Sequence, residues 1–189
     1  MDKTLVVYNS KYGHTKKYAQ WLAEELNADI LNGKNFKSNI VCNYSTILFG
    51  SSLYAGKNKA ALLIVKHFEQ IKDKKVGLFT CGLGYVSNPA NVDNINRALD
   101  KVITPEIRNK IKIFHVQGGI DYENLSVSHK IMMKLLYSKI SKKSENELND
   151  EDREFMATYG QKVDLSDKKM LEPIIQYCNN NSKQIETKE

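Results

Sequence analysis

Ser10-Lys11-Tyr12-Gly13-His14-Thr15 is the segment of this chain whose residue types and order best suit a chemical task. It follows an apolar, β-branched run, Thr4 to Asn9, and leads into an amphipathic stretch with helical spacing from Lys16 to Leu26. A phosphate dianion at such a strand-to-helix junction meets unpaired backbone N–H groups and the positive end of the helix dipole. Ser10 and Thr15 add hydroxyl donors, and Gly13 allows a tight turn with close backbone approach. His14 orients backbone or contacts the phosphate, and Lys11 adds charge that the design does not require. Taken alone, six residues fit a capped turn without a ligand equally well.

Two further loops raise the functional reading. Gly50-Ser51-Ser52-Leu53-Tyr54-Ala55-Gly56 follows the apolar run Thr46 to Gly50, and Cys81-Gly82-Leu83-Gly84-Tyr85 ends the run Lys75 to Cys81. Both contain glycine and a tyrosine. A flat heterocycle needs apolar or aromatic walls and backbone groups at its polar edge, which these segments could supply. The plainer alternative is two surface turns with incidental tyrosines. Cys81 reads as a buried packing residue rather than a nucleophile, since Ser87 stands where a Cys-x5-Arg phosphatase loop needs arginine.

Positioning these loops requires alternating strands and helices. Strands are expected at Thr4 to Asn9, Ala28 to Leu31, Thr46 to Gly50, Lys75 to Cys81 and Lys110 to Val116. Helices are expected at Lys16 to Leu26, Lys59 to Ile71, Pro89 to Leu99 and Asp167 to Cys178, with residues 32–45 irregular. Such alternation predicts one α/β domain over residues 1–189, a three-layer sandwich around a five-stranded parallel sheet in the order 2-1-3-4-5. The three loops then meet at the carboxyl ends of the strands. An insert at about residues 120–165 follows strand five. It carries a helix marked by Leu125, Ile131, Met132, Leu135, Leu136 and Ile140, and an acidic run from Ser144 to Arg153 that reads as mobile.

Composition narrows the classes. The chain has 189 residues, 41% hydrophobic and 26% charged, with a formal net charge of +6. That balance fits a globular domain with an anionic partner, and no nucleic-acid-binding motif is present. No apolar run approaches the roughly 18 residues of a membrane span, and Met1-Asp2-Lys3-Thr4 leads straight into a strand, so a cytoplasmic location is expected. Cys42, Cys81 and Cys178 are too scattered for a zinc site or disulfide framework, so no metal is expected. A Walker A sequence is absent, Gly82-Leu83-Gly84 lacks the third glycine of a dinucleotide fingerprint, and no aspartate ends strand three as a phosphoacceptor would.

The hexapeptide resembles the flavodoxin pattern Ser/Thr-x-Thr-Gly-x-Thr, with Ser10, Gly13 and Thr15 matching and Tyr12 in place of the central hydroxyl residue. The resemblance implies an FMN cofactor, with Ser10 to Thr15 on the phosphate and Ser51 to Gly56 and Cys81 to Tyr85 around the ring. Over most of its length the chain is similar to the flavodoxin-like, menaquinone-dependent protoporphyrinogen oxidases. Gly50-Ser51-Ser52-Leu53 with Gly56, Gly118-Gly119-Ile120-Asp121-Tyr122 and Lys130-Ile131-Met132-Met133-Lys134-Leu135 carry that likeness, although Ala55 stands where the family has tyrosine. It implies an oxidoreductase that passes electrons from protoporphyrinogen IX to a quinone in haem synthesis. A plain electron-transfer flavodoxin is the alternative. The residues themselves nominate no catalytic acid or base. Leu125 to Lys143 suits a peripheral membrane contact or the rim of a substrate pocket; equally it suits packing on the sheet or on another subunit in an oligomer.

Overall fold

The computed structural model describes residues 3–54 and 57–180. Strands β1 (Thr4–Asn9), β2 (Asp29–Asn32), β3 (Thr46–Tyr54), β5 (Lys75–Gly82) and β6 (Ile111–Gln117) form a parallel sheet in the order β2-β1-β3-β5-β6. A short strand β4 (Lys57–Asn58) pairs back on the end of β3. With that arm set aside, the order is the expected flavodoxin-like one.

Alternation along the strands builds two apolar layers from one sheet. Leu5, Val7, Ile47, Phe49, Val76 and Leu78 face helices α2 (Lys59–Lys66), α3 (Phe68–Ile71), α4 (Pro89–Asp100) and α5 (Pro105–Lys110). Val6, Leu48, Phe79 and Val116 face α1 (His14–Leu26) and α8 (Glu172–Asn179) on the other side. Because both faces are covered, the strands read as continuous apolar runs rather than alternating ones.

Several boundaries differ from expectation. β3 continues to Tyr54 instead of stopping at Gly50, because Ser51 and Ser52 still pair with Asn9 and Cys81 on the flanking strands. The helix expected over Lys59 to Ile71 breaks at His67, which leaves helical geometry at φ −115° and ψ 18°. Residues 32–45 contain two 3-10 helices, Gly33–Asn35 and Ser38–Asn43. A 3-10 turn, Lys168–Leu171, precedes α8 where one continuous helix was expected. Asn88 caps α4 and Pro89 opens it, as the dipeptide implies.

The insert folds into a separate layer. β7 (Gly119–Asp121) and β8 (Lys162–Asp164) pair antiparallel across its base, and α6 (Val127–Ile140) and α7 (Asp150–Thr158) lie between them. Within the acidic run, Glu145–Glu147 form a 3-10 turn and Asp150 to Arg153 open α7. Asn149 caps α7 in a reciprocal box with Asp152, and Asp150, Glu151 and Asp152 occupy the first turn, where the dipole favours negative charge. The layer's core is small: Ile120, Leu125 and Met133, bordered by a cluster in which Tyr159 meets Tyr122, Tyr137 and Phe155.

Candidate functional site

β1 delivers the chain to the carboxyl edge of the sheet, and Gly13 turns it into α1 at φ +100°, a conformation that favours glycine. The Gly13 N–H donates to Ser10 Oγ at 3.1 Å, closing the loop on itself. No side chain caps α1, and its first turn holds no acidic residue. First-turn amides and the positive dipole end therefore stand open to an anion. A Cβ built on Gly13, or on Gly82 at the end of β5, would meet nothing within 4 Å, so there is room for a ligand against both backbones.

Thr15 is buried, and its hydroxyl lies 3.0 Å from Ser52 Oγ, which locks the start of α1 onto β3. Ser51 is also buried, its hydroxyl donating to the Ser52 carbonyl and its own carbonyl accepting from Asn58. Burial pushes the Cys81 thiol up to about 12, with Thr15 partly opposing, so Cys81 is a packing residue and not a nucleophile.

Three strand ends and the insert enclose a cavity of about 140 Å³. Ser10, Tyr12 and His14 wall one side, Ser52 and Leu53 with Cys81 to Leu83 another, and Gly118 to Ile120 a third. Leu125, His129, Met132 and Met133 cover it from the insert. A neighbouring cavity of about 200 Å³ shares Leu53, Cys81 and Gly82 and runs along α4 past Asn91 and Ile95. Together the two reach the lower end of the roughly 300–1,000 Å³ typical of small-molecule sites.

Tyr12 explains its own departure from the hydroxyl pattern. Its phenol lies 2.7 Å from His129 Nδ1 and 3.3 Å from Ser126 Oγ, and accepts from the Ser126 N–H at 3.2 Å. Lys11 Nζ donates to the same Ser126 hydroxyl at 3.1 Å. Burial alone would raise the Tyr12 pKa, but hydrogen bonds from Ser126 and Lys11 bring it below the ordinary value. The loop thus reaches up to the insert helix that covers the cavity.

His14 makes the corresponding tie below. Its Nδ1 lies 3.4 Å from Asp164 Oδ1 and 3.3 Å from Ser166 Oγ, and its ring packs where a Cβ on Gly119 would stand. Burial draws the His14 pKa down, against the attraction of Asp164. Burial would also raise Asp164, but a 2.7 Å hydrogen bond from Lys17 and donors from Ser166 hold it well below the usual carboxylate range.

The remaining expected residues scatter around this centre. Tyr85 faces a third cavity of about 380 Å³ between α4 and the insert, its N–H donating to Glu151 at 3.1 Å and its hydroxyl to Glu154. Gly84 borders both the second and third cavities. Tyr54 pairs through its backbone with Lys57, while Ala55 and Gly56 lie outside the described residues. Residues the sequence reading did not assign include Gly118, His129, Met132, Met133 and Asp164. Gly118-Gly119 carried a visible signal as a glycine pair ending the fifth expected strand at the same edge, and Met132 and Met133 lay in the apolar pattern of the insert helix. Among the described residues no cluster of His, Cys, Asp or Glu could hold a metal, and no helix is long and apolar enough to cross a membrane.

An uncharacterised protein of Methanocaldococcus jannaschii is 37% identical over 90 residues, covering 46% of this chain and 59% of the relative, so the chain spans little more than half that relative's length. Similar solved structures include oxidised flavodoxin 2 from Bacillus cereus, 19% identical over 61% of this chain and 84% of that one, with a TM-score of 0.42. A flavoprotein from Lactobacillus acidophilus in complex with FMN is 22% identical over 62% and 93% respectively, with a TM-score of 0.37. The model of the flavodoxin domain matches residues 5–148, well over half of the sequence and including all three strand-end loops, and the chain therefore belongs to the flavodoxin domain family.

Proposed function

We propose that this chain is an FMN-dependent oxidoreductase whose second substrate is handled beside the insert. The carrying observation is the uncapped, acid-free start of α1 beyond Gly13, opening beside a cavity walled by the ends of β1, β3 and β5. Ser10, Lys11 and the backbone amides from Gly13 to Thr15 are the residues that would hold a phosphate; Ser52, Leu53 and Cys81 to Leu83 would border the flavin ring. FMN supplies hydride and single-electron chemistry when bound. The protein's own tasks are to orient the cofactor through these backbone groups and to keep water from it with Met132 and Met133.

The finer reading is oxidation of protoporphyrinogen IX with electrons passed to a quinone. It rests on the sequence likeness of the insert, and the covering position of α6 supports it over a plain carrier, which needs no such cover. Anaerobic turnover of protoporphyrinogen IX with a menaquinone analogue tests it on FMN-loaded protein. Turnover above the flavin-only background supports the enzyme. Flavin reduction and reoxidation by partner proteins without porphyrinogen turnover would make the chain an electron carrier.

A further inference from the structure

Exposed large hydrophobic residues are concentrated on one helix. Val127, Ile131, Met132, Leu135 and Leu136 all lie on α6, while only Ile30 and Leu62 are exposed elsewhere among the described residues. Val127, Ile131 and Leu135 follow one another at four-residue spacing and form an outward ridge, exposed by 75, 55 and 67%. Helical geometry sets Lys130 and Lys134 along one side of that ridge and Lys139, four residues beyond Leu135, at its end, and α6 contains no Asp or Glu. Leu125, Met133 and Ile140 point inward and hold the helix to the molecule. The outer face is therefore apolar at its centre and basic along one side and at one end, the reverse of an ordinary surface helix.

We propose that the outer face of α6 docks on an anionic lipid bilayer surface, with Val127, Ile131 and Leu135 entering the headgroup boundary and Lys130, Lys134 and Lys139 meeting lipid phosphates. Charge complementarity selects this occupant over a second copy of the chain. A fourteen-residue helix is about 21 Å long, so a face roughly 10 Å wide offers about 200 Å². A stable interface needs about 800 Å² from each partner, and two-fold pairing would bring the lysine margins of two copies together. A bilayer has neither limit, since apolar insertion and electrostatic attraction add. The proposal stands on α6 alone and does not depend on the FMN reading.

The test is co-sedimentation of the full chain with vesicles, which needs no flavin. Binding to equimolar phosphatidylglycerol and phosphatidylcholine vesicles is expected, with at least a tenfold weaker affinity for phosphatidylcholine alone and a marked loss in high salt. Ile131→Glu with Leu135→Glu, and separately Lys134→Glu with Lys139→Glu, should each weaken binding at least tenfold while leaving the thermal unfolding midpoint unchanged, because all four side chains are exposed. Equal binding to both vesicle types, or variants that bind like the parent, would overturn the proposal. So would a dimer in sedimentation equilibrium that Leu135→Glu dissociates, since a second copy would then cover the face.

Discussion

The parallel sheet and the insert are held together by different physics. In the sheet, Val6, Ile47, Leu48, Phe49 and Leu78 have no measurable exposure and interdigitate with helices on both faces. In the insert, the buried apolar residues Ile120, Leu125, Met133 and Ile140 retain 7 to 9% exposure. Polar struts and an aromatic cluster finish the job: Tyr12 to Ser126 and His129, Lys17 and His14 to Asp164, and the rings around Tyr159. Hydrophobic burial is strong and non-directional, whereas single hydrogen bonds contribute little net stability but fix geometry. The sheet is thus suited to be a rigid frame, and the insert to open locally over the cavity at modest cost.

Substitutions can break this contrast, beginning in the sheet. Leu78→Ala should destabilise the whole molecule by about 2–5 kcal/mol in denaturant unfolding, because a fully buried side chain leaves a cavity. An equal effect from Met133→Ala would mean that the insert belongs to the same cooperative core. Asn149→Ala removes the cap of α7 and should cost about 1 kcal/mol, seen as faster amide exchange over Asp150–Thr158 while β1 and β5 keep their protection. Tyr12→Phe deletes the strut to α6 and should cost about 0.5–1.5 kcal/mol, with the change in exchange confined to the insert. Spread of that change into α1 would show that loop and sheet depend on the strut.

The smallest effect is pH-dependent. Asp164 is held below its ordinary range in the folded chain, so its hydrogen bonds from Lys17 and Ser166 stabilise fully above the unfolded carboxylate value of about 4. They are lost as pH falls through the lower folded value. Protein carrying Asp164→Asn should therefore show faster exchange in β8 than the parent at neutral pH, with the gap closing as the solution is acidified below about pH 4. A gap that widened as the pH fell below about 4 would contradict the assignment.

The frame was more legible in the sequence than the insert, for a physical reason. β1 and β5 are short, largely apolar runs because helices cover both sides, and Asn88-Pro89 carries its cap and first turn in two adjacent residues. β3 was shortened because Ser51 and Ser52 look like loop residues, although the strand pairing at those positions comes from the neighbours and not from the serines. β7 and β8 are three residues each and pair across more than forty positions, too little local pattern to read. The acidic run suggested mobility because its cap and dipole compensation appear only once the helix forms. At the site, Ser10 and Gly13 stand out by type and place, whereas Tyr12 reads only as a departure from the hydroxyl pattern until the fold brings Ser126 and His129 within reach of it.

The central claim is that the open end of α1 binds the phosphate of a flavin, and comparing FMN with riboflavin tests it most directly. Riboflavin carries the same ring without the phosphate, so the difference in affinity isolates the contribution of Ser10 to Thr15. Titration followed by quenching of flavin fluorescence should show FMN binding at least about tenfold tighter than riboflavin, equivalent to about 1.4 kcal/mol. Gly13→Val, which forces a β-branched residue into a positive-φ turn, should erase most of that difference. Equal affinity for the two flavins, or no binding of either, would contradict the account.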